Sequence, residues 1–239
     1  MSWTGSSNTS GKGLLLVGLA CLAGCATRPP IGELLYREDF SGGLDRWRIE
    51  AEQPARVTIR DGELDIDTPA GITLWFKPKL EGPVRIEFEA TAVSEGGAND
   101  QVSDLNVFWM ASNRDGEEPV FGHARTGKFA EYNDLLTYYV GLGGNRNTTT
   151  RFRRYIGDPA NRPLLPEHDL SAPSVLLVPN KKQTIALIAD RHTIEYRRDG
   201  QLLFRFEDPA PYTRGWFALR STFSHLRIDN LRIQSLATR

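Results

Sequence analysis

The run from Tyr138 to Tyr155 carries the residue types best suited to chemistry in this chain. Two β-type segments flank a glycine-containing turn, and the second segment alternates, so that one strand face is almost wholly polar. Three arginines, Arg151, Arg153 and Arg154, fall within four residues. Guanidinium forks match carboxylates, and tyrosine rings stack on sugar faces while offering a hydroxyl. The run therefore predicts a surface that binds an acidic carbohydrate, without establishing a reaction.

Elimination from a uronate is the reaction that these residue types fit best. It needs a cation or amide to neutralise the carboxylate, and a base for the proton on the adjacent carbon. The predicted substrate-binding residues are Asn106, Arg146, Asn147, Arg151, Arg153 and Tyr138. The predicted acid and base come from Tyr139, Tyr155 and His168, the last lying between two acidic neighbours. A structural alternative is that the arginines pair across strands with outward acidic residues.

Glycoside hydrolysis is the second chemistry to weigh. It normally uses two carboxylates across a cleft, about 5 Å apart for retention and farther apart for inversion. The chain lacks a Glu-x-Asp-x-x-Glu pattern, and Glu87 with Glu89 is typical of a solvated strand face. Asp104 and Asn106 share a face beside an aromatic run and are better site candidates, although hydrogen bonds to a loop explain them equally well.

Metal and cofactor chemistry is weakly indicated. No spacing of histidines and acids matches a metal-ligand pattern, so neither zinc nor another catalytic metal is expected. A structural calcium site is an alternative that the sequence leaves open, because residues 95–100 offer suitable oxygens but no diagnostic spacing. No other cofactor is expected.

The N-terminus is typical of a targeting segment. Lys12 precedes an apolar run that is too short to span a bilayer, and the run ends in Leu22-Ala23-Gly24-Cys25. This ending resembles a bacterial lipoprotein cleavage box, which implies lipidation of Cys25 and attachment to a membrane through acyl chains. Ala26 favours the outer membrane or the periplasm-facing envelope, whereas the alternative is an ordinary secretory signal.

These features divide the chain into a signal peptide at residues 1–24, a lipidated cysteine with a short tether at 25–32, and one domain at 33–239. Both cysteines precede that domain, so disulfides and thiolate catalysis are excluded from it. Its length suffices for a sizeable core. The 29 basic and 30 acidic residues nearly cancel, so no nucleic-acid partner is indicated.

Short alternating runs separated by turn signals predict an all-β fold, a two-sheet antiparallel jelly-roll sandwich. Asp61-Gly62 and Asp199-Gly200 predict tight hairpin turns, and Trp75, Trp109 and Trp216 are predicted core residues. The stretches 113–136 and 157–179 are predicted loops, which is where binding sites usually lie on a rigid sandwich.

Several motifs resemble an uncharacterised bacterial domain family. They include Asp-Phe at residues 39–40, Asp-Leu-Asn-Val-Phe-Trp at 104–109, the run 138–155 and Gly-Trp-Phe at 215–217. On these motifs the chain is identified as a member of domain-of-unknown-function family 6250, in the concanavalin A-like lectin/glucanase superfamily, and it is similar to YesU-like proteins. The resemblance implies a jelly roll whose concave sheet and rim loops meet a saccharide. It supplies no catalytic residues, and the superfamily includes lectins, hydrolases and lyases.

The leading hypothesis is a lipid-anchored envelope protein that cleaves an acidic, uronate-containing poly- or oligosaccharide by elimination. The alternatives are a saccharide-binding lipoprotein without activity, a glycoside hydrolase of the same fold and a structural envelope component. An enzyme should gather a titratable tyrosine or histidine with arginine inside a cleft. A binding module should instead show a shallow aromatic groove.

Overall fold

The structure is a computed structural model that describes residues 1–5 and 30–237. The predicted lipidation site, Cys25, and most of the predicted signal peptide lie outside the described residues. Among the described residues, no helix is long and apolar enough to cross a membrane.

Fifteen strands in the described residues form two antiparallel sheets. In sheet A the neighbouring strands, in spatial order, are β13 (Gln201–Glu207), β12 (Thr193–Arg198), β11 (Lys182–Asp190), β6 (Val84–Ala92), β15 (Ser224–Leu236), β4 (Glu63–Thr68) and β3 (Arg56–Arg60), and β1 (Ile31–Glu38) also pairs with β15. In sheet B they are β10 (Asp169–Leu170), β9 (Thr149–Ile156), β8 (Leu136–Gly143), β7 (Leu105–Ser112), β14 (Arg214–Ser221), β5 (Ile72–Glu81) and β2 (Trp47–Ala51). The predicted two-sheet sandwich is confirmed.

Short helical turns interrupt the long loops. The 3₁₀ turns are Val120–Gly122, Phe129–Tyr132, Pro166–His168 and Pro173–Val175. The turn Gly144–Asn147 between β8 and β9 is left-handed, since Asn145, Arg146 and Asn147 all have φ near +55° to +60°. Such values are uncommon for residues other than glycine, although asparagine tolerates them best.

The main core lies between the two sheets. Alternate residues of each strand point inward, so β6 buries Val84, Ile86 and Phe88 while the residues between them stay half-exposed. The predicted hairpin turns form as expected, because Asp61 and Gly62 both have positive φ, as a primed turn requires.

A second apolar cluster lies on the opposite face of sheet B. Trp75, Phe108 and Trp216 project from that face and pack against Val120 and Tyr132 of the loop between β7 and β8. This loop, residues 113–135, therefore covers much of a sheet face that a simple sandwich would leave to solvent. The uncovered part of this face lies towards β8, β9 and β10. The candidate site lies there.

Candidate functional site

A row of polar residues crosses the covered face of sheet B in register. Thr73 of β5 pairs with Arg220 of β14, which pairs with Asn106 of β7. Asn106 in turn pairs with Gly141 of β8, and Gly141 with Arg151 of β9. Because paired residues of neighbouring strands share a face, these side chains lie side by side. The neighbouring row, two residues along each strand, includes Phe108, Tyr139 and Arg153.

The two rows end in a pocket of about 240 Å³. Its lining residues come from strands β8 and β9, the residue before β7, the left-handed turn and both long loops: Asp104, Phe129, Tyr139, Gly141, Gly144, Asn145, Thr149, Arg151, Arg153 and Arg162. The pocket is rich in groups that recognise anions and hydroxyls. Aromatic rings at Phe129 and Tyr139 supply an apolar wall.

Gly141 makes room for the floor of this pocket. A Cβ at this position would lie 2.7 Å from the Tyr139 hydroxyl oxygen and 3.3 Å from Asn106 Oδ1. Asn106 is 3% exposed, and its Oδ1 has no hydrogen-bond partner among the described residues. This amide oxygen is therefore an unused acceptor close to the pocket, although Asn106 does not line it.

Asp104 supplies the carboxyl group of the floor. It lies just before β7 with φ of 57°, and its Oδ1 accepts a hydrogen bond from Asn106 Nδ2 at 3.1 Å. Burial raises the pKa of Asp104 above its ordinary value, although hydrogen bonds from Asn106 and Ser103 and the charge of Arg220 act in the opposite direction. Once ionised, a carboxyl group with a raised pKa is a stronger base than an ordinary carboxylate.

Tyr139 is a hydroxyl and not a phenolate in this pocket. Burial is the main cause that raises its pKa well above the ordinary value, and the charges of Tyr155 and Asp104 act in the same direction. The predicted role of Tyr139 as a base therefore requires a partner that removes its proton. As a hydrogen-bond donor or a general acid, the protonated hydroxyl needs no such partner.

Two arginines of the pocket lack a carboxylate partner among the described residues. Arg153 donates a short hydrogen bond to the backbone oxygen of Arg162. Burial, followed by the charges of Arg162 and Arg151, lowers the pKa of Arg153 below its ordinary value. Arg162 donates to the Tyr155 hydroxyl at 3.3 Å and lies 5.4 Å from the centre of the Phe129 ring. An anion placed between these two cations would relieve their repulsion.

Arg220 lies beneath the same wall. It is 3% exposed, and its Nη1 donates to Thr73 Oγ1 at 2.8 Å and to the Gly127 backbone oxygen at 2.9 Å. Its guanidinium lies 4.8 Å from the Phe129 ring centre. Phe129 is therefore held against both Arg162 and Arg220 by cation–π contacts, which fix the ring that faces the pocket.

Arg151 also lines the pocket but is already neutralised. It forms a two-pronged ion pair with Asp169 of β10, with Nε to Oδ1 at 2.7 Å and Nη2 to Oδ2 at 3.2 Å. This pairing matches the structural alternative weighed for the arginines, in which they bind acidic residues across the sheet. Arg151 therefore contributes less free positive charge than Arg153.

The left-handed turn carries two predicted binding residues, Asn147 and Arg146, and neither lines the pocket. Asn147 joins the turn to Leu177, whose N–H donates to Asn147 Oδ1 and whose carbonyl accepts from Nδ2, both at 2.9 Å. Arg146 is exposed and does not line the pocket. The pocket instead takes Asn145 from this turn. Asn147 thus shapes the pocket from behind, because its amide is fully used.

Besides Asn106, Arg146 and Asn147, three more predicted site residues lie outside the pocket lining. The Tyr138 side chain points between the sheets, where its hydroxyl donates to Asp208 Oδ2 at 2.7 Å. His168 is 4% exposed, with its ring edge-on to Phe152, and burial lowers its pKa. Tyr155 shares the pocket's sheet face but is completely buried under the loops. The structure therefore leaves these three side chains out of the pocket: Tyr138 and His168 pack among residues between the sheets, whereas Tyr155 lies under the loops that cover sheet B.

The loop at residues 95–100, for which the sequence leaves a structural calcium open, uses its Asp100 carboxylate in contacts within the protein. Asp100 Oδ2 accepts the N–H groups of Glu95 and Gly97 at 2.7 and 2.9 Å, and Oδ1 lies 2.8 Å from Nδ1 of His225. This carboxylate therefore organises the loop through protein contacts.

Arg162, Phe129 and Asn145 belong to the pocket but were not singled out from the sequence. Arg162 and Phe129 come from the two long loops, where no periodicity indicates a side-chain direction. Asn145 lies in a left-handed turn that hydrogen bonds from Asn147 tie to Leu177. The sequence offered one signal, namely that both long loops are expected to carry binding residues.

The fold that carries this pocket is an all-β sandwich of two antiparallel sheets. The sequence profile described as "Domain of unknown function (DUF6250)" matches residues 66–231, and the chain belongs to this family. No curated protein sequence matches the chain.

Solved structures show the same fold at low sequence identity. A Bacillus subtilis protein of unknown function with a galectin-like fold has 16% identity and a TM-score of 0.70, over 88% of this chain and 100% of that one. A carbohydrate binding module from Bacillus subtilis has 12% identity and a TM-score of 0.52, over 80% and 96%. An endo-β-1,3-glucanase from Pyrococcus furiosus has 10% identity and a TM-score of 0.57, over 87% and 95%.

Proposed function

We propose that this protein binds an acidic saccharide by placing a sugar carboxylate against Arg153 and Arg162. The observation that carries the proposal is that both guanidinium groups line one pocket, and neither forms an ion pair with a carboxylate in the described part of the chain. Arginine is suited to planar, two-pronged recognition of a carboxylate. A neutral ligand would leave the mutual repulsion of these cations in place.

The remaining groups of the pocket suit the hydroxyl-rich body of a sugar. Tyr139 lines the pocket, and Asn106 Oδ1 lies close to Gly141 as an acceptor without a hydrogen-bond partner in the described part of the chain. The Phe129 ring is half-buried and provides an apolar surface for stacking. Two of the structures with the same fold are a carbohydrate binding module and an endo-β-1,3-glucanase, which supports a saccharide ligand.

The size of the pocket favours a single sugar residue. Its volume of about 240 Å³ lies below the roughly 300–1,000 Å³ of most small-molecule pockets. A longer saccharide would therefore insert one residue and extend the rest over the surface.

Elimination is a second candidate function, which the position of Asp104 favours. Its carboxyl, with a raised pKa, and the protonated Tyr139 hydroxyl line the same pocket as Arg153. In the step, the Asp104 carboxylate takes the proton from the carbon next to the uronate carboxylate. That electron pair forms a carbon–carbon double bond, the bond to the glycosidic oxygen breaks, and Tyr139 gives its proton to the leaving oxygen. Arg153 and Arg162 balance the charge that develops on the carboxylate.

The proposal includes attachment to the outer membrane through Cys25. It is supported by the sequence pattern at residues 22–25, which resembles a lipoprotein cleavage box. An anchored domain would meet saccharides at the cell envelope.

Incubation with acidic and neutral polysaccharides, followed by mass spectrometry and a retention assay, tests the proposal. Cleavage products without added water identify elimination, and products with added water identify hydrolysis. Retention of uronate glycans without cleavage identifies a binding protein. Absence of both, across glucuronate- and galacturonate-containing glycans, contradicts the proposal.

A further inference from the structure

Three metal-ligating side chains converge in the loop between β7 and β8. Nε2 of His123 lies 3.3 Å from Asp115 Oδ2 and 3.5 Å from Glu117 Oε2. One ligand atom from each of the three residues falls within 4.8 Å of the other two. None of the three residues lines the saccharide pocket.

The contacts are not those of an ordinary hydrogen-bonded ion pair. His123 Nε2 is shielded from water, yet it makes no hydrogen bond with either carboxylate among the described residues. Asp115 Oδ1 accepts the N–H of Glu117 at 3.0 Å, which leaves Oδ2 facing the imidazole. No lysine or arginine of the described chain pairs with Asp115 or Glu117, whereas the neighbouring Glu118 pairs with Lys79.

The two separations between His123 Nε2 and the carboxylate oxygens match the spacing of ligands around one metal ion. In a tetrahedral site with bonds of about 2.0–2.2 Å, neighbouring donor atoms lie about 3.3–3.5 Å apart. We propose that Asp115, Glu117 and His123 bind Zn²⁺, with water in the fourth position. An imidazole ligand favours zinc over calcium or magnesium, which prefer oxygen ligands alone.

The proposed ion would fix the loop that covers sheet B. In the sequence, Val120 and Phe121 lie between the proposed ligands Glu117 and His123. Val120 is completely buried in the second apolar cluster, and the Phe121 ring centre lies 6.2 Å from that of Trp216. A metal that binds this loop only in its folded form stabilises the native state and holds these two side chains on the sheet. The site therefore has a structural role and does not depend on the proposed saccharide.

Zinc binding to the full chain, stripped with chelator and prepared without a histidine tag, tests the inference. ZnCl₂ titration by calorimetry should give one Zn²⁺ per chain, and ZnCl₂ should raise the Tm. Glu117→Gln and His123→Ala should each weaken binding at least tenfold and lose the Tm shift. Glu118→Gln, in the same loop but outside the triad, should bind as the parent protein does.

Any of three outcomes would overturn the inference. One is the absence of Zn²⁺ binding by the parent protein, and another is equal binding by the parent protein, Glu117→Gln and His123→Ala. A response to CaCl₂ in place of ZnCl₂ would also overturn it. The three residues are exposed or half-exposed, so the variants should fold, and their far-ultraviolet circular dichroism checks this.

Discussion

The Tyr139 hydroxyl oxygen lies 2.7 Å from the point at which any residue other than glycine at position 141 would place its Cβ. Tyr139 and Gly141 are two apart on β8 and share the face of sheet B that carries the pocket. Because Gly141 has no side chain, the Tyr139 phenol can lie over it. This relation sets the floor of the proposed saccharide site.

Gly141→Ala should close the pocket floor without unfolding the protein. The added methyl group forces the Tyr139 hydroxyl towards the ligand, so we expect affinity for an acidic saccharide to fall about tenfold or more, since about 1.4 kcal/mol corresponds to a factor of ten. Titration calorimetry measures this change. Gly42→Ala is the control, because a Cβ there meets no atom within 4 Å. Equal affinities for the two variants would show that Gly141 does not shape the site.

Arg153→Gln and Arg162→Gln should each weaken binding of a uronate saccharide by about tenfold or more, because charge-assisted hydrogen bonds contribute about 1.5–3 kcal/mol. Binding of a neutral saccharide of the same size should change little. The measurement is calorimetric titration with both ligands. Arg60→Gln, which removes an exposed arginine beside Asp61, is the matched control. An equal loss for both ligands would argue against a carboxylate contact.

Arg151→Gln should weaken binding less than Arg153→Gln does. Arg151 is held by Asp169 in a two-pronged ion pair, so its charge is largely compensated before a ligand arrives. A comparison of dissociation constants for the two variants checks this order. The reverse order would mean that Arg151 leaves Asp169 to meet the ligand.

Tyr138→Phe should lower stability, whereas Tyr139→Phe should lower saccharide affinity. The Tyr138 hydroxyl accepts the Tyr212 N–H at 3.0 Å and donates to buried Asp208, and loss of such bonds costs about 1–3 kcal/mol. Urea unfolding and titration calorimetry of both variants separate the two effects. If Tyr138→Phe folds normally but loses saccharide affinity, Tyr138 must contact the ligand, which would contradict this assignment.

Asp104→Asn should remove a pH dependence of stability. Because the pKa of Asp104 is raised by folding, its ionisation destabilises the native state as the pH rises from 3.8, the ordinary pKa, through the folded value. Stability of the parent protein relative to Asp104→Asn should therefore be greatest at low pH and fall as the pH rises. Asparagine tolerates the positive φ at this position. Urea unfolding at pH 3.5 and pH 8 measures the difference in unfolding free energy between the parent protein and Asp104→Asn. The same difference at both pH values would contradict this prediction.

The sandwich is predictable from the sequence because its alternation and its Asp-Gly turns are local signals. Adjacent strand residues must point to opposite sides of a sheet, so only one of Tyr138 and Tyr139 can face the pocket. The sequence does not show which of the two it is. Both faces of β8 are buried, one by sheet A and the other by the loop at residues 113–135. Burial on both faces removes the polar contrast that would have told them apart.

His168 shows how long-range packing overrides a local pattern. Its acidic neighbours in sequence suggest a charged loop, yet its ring packs edge-on against Phe152, Phe204 and Phe206. Those rings come from β9 and β13, and no feature near residue 168 indicates their approach. Arg162 reaches the pocket in a comparable way, from a loop without periodicity.

The most direct test of a carboxylate-binding pocket is calorimetric titration of the protein with a uronate oligosaccharide and with the methyl ester of the same oligosaccharide. The ester keeps the sugar body and removes the negative charge. We predict binding of the free acid at least tenfold tighter than that of the ester, with the difference lost in Arg153→Gln. Equal affinities for acid and ester would contradict the proposed role of Arg153 and Arg162.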